Sequence, residues 1–233
     1  MDRATRKELK SDKFALEVQH GVEYVSTHRQ LLARWGAVAA VAVVVILAVY
    51  LYMRHEAGVR LEAFQAAQRI QNATVGPAQS EYQLAYATQA EKDKAAQKAW
   101  TDLAVRYPSS DEGVIANFYL GGEAADNGKL DEAAKRFQVV IDRGSKDYAA
   151  LAKLSLAQVY ASQNKMKDAR DLVQSVIDHP TATVSKEEAI IALAHILAPT
   201  DPQAARKLLE PLRGNERAAI SRAALSAISE LPK

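Results

Sequence analysis

Cysteine is absent from the 233 residues. Its absence excludes disulfides, thiolate nucleophiles, cysteine-ligated zinc and a lipid-modified N-terminal cysteine. Aromatic residues are also scarce, at 6% against a hydrophobic content of 48%. The apolar fraction is therefore carried by small and aliphatic side chains, alanine foremost, which favour close-packed helices over sheets. The formal net charge is only +2, too little for bulk attraction to nucleic acid. Stretches of strand alternation closed by turn pairs are missing as well, and the chain reads as all-α.

One long apolar run is present. Trp35 to Met53 reads WGAVAAVAVVVILAVYLYM, without a charge. At about 1.5 Å rise per residue it spans roughly 28 Å, close to a hydrocarbon core of about 30 Å. Trp35 stands at one end and Tyr50 and Tyr52 at the other, bracketed by Arg34 and Arg54. These five residues suit the two membrane interfaces. The run starts late and is followed by Arg54-His55-Glu56, not by the small-residue site of a cleaved signal peptide.

Residues 1–34 carry seven Lys/Arg and five Asp/Glu, and residues 54–233 carry 23 of each. A short basic tail that stays in the cytoplasm, followed by a long domain that translocates, is the simpler topology. Within the tail, Phe14, Leu16, Val18, Val22 and Val25 are loosely spaced for an amphipathic helix; a docking helix and a plain topogenic tail both fit. The layout is then a tail (1–34), a transmembrane helix (35–53), a connecting helix and turn (54–78) and a helical domain (79–233). In the connecting helix Leu61, Phe64, Ala67 and Ile70 fall at helical spacing before the Val75-Gly76-Pro77 turn.

The helical domain has an internal period. Ala133, Ala169 and Ala205 stand 36 residues apart, each followed four residues on by Phe137, Val173 or Leu209, and three further by Val140, Val176 or Leu212. Gly128 and Asn164 align in the turns before the first two alanines, and both residue types tolerate the left-handed conformation of a tight turn. Asp201-Pro202 supplies an N-cap and a first-turn proline in the third copy. The pattern predicts helical hairpins in which a small residue lets helix B approach helix A.

These segments resemble tetratricopeptide repeats. Leu120, Gly121, Ala133 and Phe137 match that family's pattern in the 114–147 copy, and Leu156, Ala157, Tyr160 and Ala169 in the 150–183 copy. Ala96, Trp100, Leu103 and Pro108 look like the second half of an earlier copy. Leu193, Ala194, Leu197, Ala205 and Leu209 form a degenerate last copy, and residues 216–230 a capping helix. The large residue that opens helix A in the family is replaced by Asn117 and Lys153. Tail, span, connecting helix and degenerate repeats together resemble the bacterial inner-membrane family that includes the ancillary subunit of the Sec translocon (YfgM-like proteins). That resemblance implies a periplasmic repeat domain in contact with the translocon and with periplasmic chaperones.

In such repeats helix A faces line a binding groove. The register nominates Phe118, Gly122 and Asp126, then Leu154, Gln158 and Ser162, then Ile191 and His195. Phe118, Leu154 and Ile191 fit equally well as packing between hairpins. No residue set suggests catalysis, a cofactor or a small-molecule substrate. His20 and His28 lack the further ligands a metal needs. Ser109-Ser110-Asp111-Glu112 reads as a helix N-cap with acidic first-turn residues. Gly121-Gly122 lacks a phosphate loop's lysine, and Glu187-Glu188 cannot face each other on a helix. The expectation is a non-enzymatic, membrane-tethered adaptor for protein partners: the Sec translocon, periplasmic chaperones or another membrane complex.

Overall fold

The computed structural model describes residues 29–77 and 84–232. The tail's amphipathic stretch, with His20 and His28, lies outside them. Helix α1 runs over Arg29–Gln71. A minimal parallel strand pair follows, β1 (Thr74–Val75) with β2 (Ala85–Tyr86). Two residues per strand are too few for alternation to register in the sequence. Then come α2 (Gln89–Arg106), α3 (Asp111–Asp126), α4 (Leu130–Arg143), α5 (Lys146–Ser162), α6 (Met166–Asp178), α7 (Lys186–Leu197), α8 (Pro202–Leu209) and α9 (Ala218–Glu230), with a single 3-10 turn at Glu210–Leu212. The chain divides into two compact units, one ending at Gly58 and one spanning Val59–Lys233.

In the first unit, α1 is the one helix among the described residues that is long and apolar enough to cross a membrane, and none of its most apolar window is buried. Trp35, Tyr50 and Tyr52 are all exposed. An apolar face with no protein to cover it suits a hydrocarbon surrounding, not water.

The second unit is a stack of helical hairpins, each helix packing on the next from α2 to α8, with α9 against α7 and α8. Ala133, Ala169 and Ala205 are all 0% exposed, and Phe137, Val173, Leu209, Val140, Val176 and Leu212 are all buried. The periodic alanines and the large residues a turn later thus form the interfaces between helices. Gly121 shows how close the approach is. A Cβ at that position would lie 2.9 Å from the Phe137 ring. Gly128 and Asn164 adopt φ of +71° and +61°, the left-handed turns that the aligned positions called for.

Local chemistry sets the helix ends. Ser110 accepts from the Gly113 N–H at 3.1 Å, and Asp201 from the Ala204 N–H at 2.9 Å with Pro202 in the first turn. Ser185 and Glu188 form a reciprocal capping box. Asn117, which replaces the large opening residue, is buried, yet both ends of its amide are satisfied. Its Nδ2 donates to the Gly113 carbonyl at 2.9 Å, and its Oδ1 accepts from Arg136 at 3.0 Å.

The second compact unit begins within α1, at Val59. Residues 59–71 of α1 belong to the second unit. The pair they form with α2, here the first hairpin, is held by side chains and lacks the close backbone approach of the later hairpins. Ala67 is 0% exposed and clusters with Phe64, Ile70, Ala96, Trp100 and Leu103. Trp100 Nε1 donates to Gln71 Oε1 at 3.1 Å, and Phe64 meets the Trp100 ring edge-on at 5.7 Å. Arg60 pairs with Glu112 at 3.3 Å. Burial opposes ionisation of Glu112, but helix-end backbone N–H, the Ser110 hydroxyl and Arg60 outweigh it and hold the carboxyl below its ordinary range.

Candidate interaction surface

The nominated residues fall on the helix A elements α3, α5 and α7, which touch one another in that order. A period of 3.6 puts Phe118, Gly122 and Asp126 on one stripe of α3. They line a hollow of about 940 Å³, closed on its other sides by Gln71, by the first half of α2 and by the turn after α3. Gln158 and Ser162 of α5 and His195 of α7 line a second, smaller hollow of about 360 Å³. Six of the eight nominated residues are thus shared between two hollows.

Two of the eight lie elsewhere. Ile191 is 8% exposed and belongs to the core, the packing role that the sequence left open beside the groove reading. Leu154 is half-buried and packs against the same core. Phe118 is intermediate. It meets Phe137 and Tyr148 edge-on at 5.7 and 6.0 Å, and its remaining surface faces the first hollow. Gly122 has open space where a side chain would be, with nothing within 4 Å of a Cβ.

Several lining residues were not nominated from the sequence. Tyr119 stacks flat on Trp100, centroids 4.3 Å apart and planes 6° from parallel. Asp93 of α2 and Glu123 of α3 also line the hollow. Burial, reinforced by the nearby Asp93 carboxylate and only partly offset by Lys129, raises the Glu123 carboxyl above its ordinary value. Tyr119 and Glu123 were within reach of a helical-wheel reading, being one turn apart beside the nominated stripe. Asp93 and Trp100 were not, because they come from a different helix. No group of three or more His, Cys, Asp or Glu residues placed to hold a metal occurs among the described residues.

Hairpins with buried small residues at a fixed period, apolar partners one turn on and hollows beside the A helices define a helical-repeat protein, an architecture suited to contact with other proteins. Residues 29–187 match the tetratricopeptide repeat-like domain family, and the chain belongs to that family. The match begins with α1, consistent with α1 supplying part of the first hairpin. No curated protein and no solved structure matches the chain.

Proposed function

We propose that this protein is a non-enzymatic adaptor, tethered to the bacterial inner membrane by α1, with its N-terminal tail in the cytoplasm and its repeat domain in the periplasm. It supports protein export through the Sec translocon or the work of periplasmic chaperones. The observation that carries the reading is the pairing of an unburied apolar helix with a domain of the tetratricopeptide repeat-like family. The first suits a bilayer, and the second suits a scaffold for protein contacts. The basic tail supports the orientation, and the overall layout supports the link to export.

Co-purification of the full chain after mild detergent extraction tests the reading. Recovery of translocon subunits and periplasmic chaperones is the expected result. Recovery of a respiratory, secretion or division complex instead, retained when the repeat domain is deleted, would make the protein an accessory subunit held through its span and tail.

A further inference from the structure

The hollow beside α3 has features that select what can enter it. Its apolar part is aromatic: Phe118 and Tyr119 are each half-buried, with Tyr119 backed by the Trp100 ring. Its rim carries the carboxylates of Asp93, Glu123 and Asp126 against the ammonium groups of Lys94 and Lys129. None of the three acids has an ion-pair partner among the described residues. Asp93 takes only a neutral hydrogen bond, from Gln89 at 2.7 Å. At the centre, Gly122 leaves room where any other residue would project. Aromatic faces attract cations through their quadrupole, and unpaired carboxylates attract them through charge. An anion or a purely aliphatic side chain would use only one part of this lining or be repelled by it.

We propose that this hollow takes a lysine or arginine side chain of an extended partner segment, set against the Phe118 and Tyr119 rings with its cationic end toward Asp93, Glu123 and Asp126. The assignment rests on the adaptor reading and names the chemistry of one contact within it. Burial first, and the Asp93 carboxylate second, raise the Glu123 carboxyl above its ordinary value. A bound cation would pull that carboxyl back toward its ordinary range.

The test uses the full chain in detergent and three fluorescein-labelled decapeptides: one with two arginines in a glycine–serine background, one with leucines and one with glutamates at the same places. Fluorescence anisotropy should show the arginine peptide binding at least tenfold more tightly than either twin, and more weakly as salt rises. Gly122→Leu projects a bulky side chain into the hollow beside Phe118 and Glu123 and should cost the arginine peptide tenfold or more, with the circular dichroism spectrum unchanged. Should that variant not fold, Glu123→Gln with Asp126→Asn adds no bulk and should give a similar loss and a flatter salt dependence. Equal or tighter binding of the leucine or glutamate peptide would overturn the proposal. So would a folded Gly122→Leu variant that binds normally. Self-association that Gly122→Leu abolishes, without peptide binding, would make a second copy of the chain the occupant and also overturn it. The adaptor reading fails separately: it falls if the wild-type chain recovers no translocon or chaperone partner, whatever the peptides do.

Discussion

At the scale of single residues, adjacent positions on α3 have opposite demands. Gly121 and Gly122 sit in the same helix, but only Gly121 faces Phe137. Gly121→Ala is expected to destabilise the fold by about 1–3 kcal/mol, as overpacking does. Gly122→Ala places its methyl in open space and replaces a poor helix former, so it should stabilise by up to about 1 kcal/mol. Thermal melts of the two variants side by side check the opposite signs. Glu123 gives a pH-dependent counterpart. Its folded-state pKa is raised above its ordinary value of 4.5, by burial first and by Asp93 second. The folded state therefore holds that proton more tightly than the unfolded state. The group's contribution falls as pH rises through the ordinary value to the folded one, and it stays lower at neutral pH. Glu123→Gln should raise the melting temperature at pH 7 and leave it nearly unchanged at pH 3. A variant no more stable than wild type at pH 7 would contradict the assigned environment.

At the scale of elements, the first hairpin is the informative one. It pairs the end of α1 with α2 around Trp100, which is 1% exposed. The chain has two tryptophans, Trp35 and Trp100, so Trp100 alone reports on fragments that begin after the apolar run. A 59–233 fragment should show blue-shifted tryptophan emission and a cooperative melt. A 79–233 fragment, lacking Phe64, Ala67 and Gln71, should emit further to the red and melt lower. Identical spectra would mean that α1 is not part of the hairpin. The later hairpins were legible in the sequence because close helix approach demands a small residue at a fixed distance from a large one, and Ala133 with Phe137 and Ala169 with Val173 meet that demand. The first hairpin was obscured. Leu61, Phe64, Ala67 and Ile70 showed the helical period, but β1 and β2 stand there in place of the tight left-handed turn that Gly128 and Asn164 make in the next two copies. Leu61 itself stays exposed. Of the candidate surface, the α3 stripe could be read from i, i+4 spacing. The α2 side of the hollow could not, since which helix faces it depends on packing. Ile191 was open to either reading, because spacing along one helix does not say which neighbouring helices cover it.

At the scale of the whole molecule, the cysteine-free sequence makes topology directly measurable. Single cysteines at Ser11 and Ser226, probed with a membrane-impermeant thiol reagent in intact cells, should label at 226 and not at 11. The reverse pattern would invert the orientation. Ser226 is exposed on α9, so failure to label there would not stem from burial within the fold.

The buried clusters are uneven in size. The one built on α5 to α9 is much larger than the one that joins the end of α1 to α2. In a stack where each hairpin is stabilised by its neighbours, the end with less buried surface opens first. Hydrogen exchange should therefore be fastest in the first hairpin and slowest across α6 and α7. A protease acting on that open form would cut between anchor and repeats and shed the remaining hairpins as a soluble fragment, whereas a cut near α9 would leave most of the domain attached. On the proposed anchoring by α1, the weakest joint in the stack thus lies where a single cleavage would end residence at the membrane.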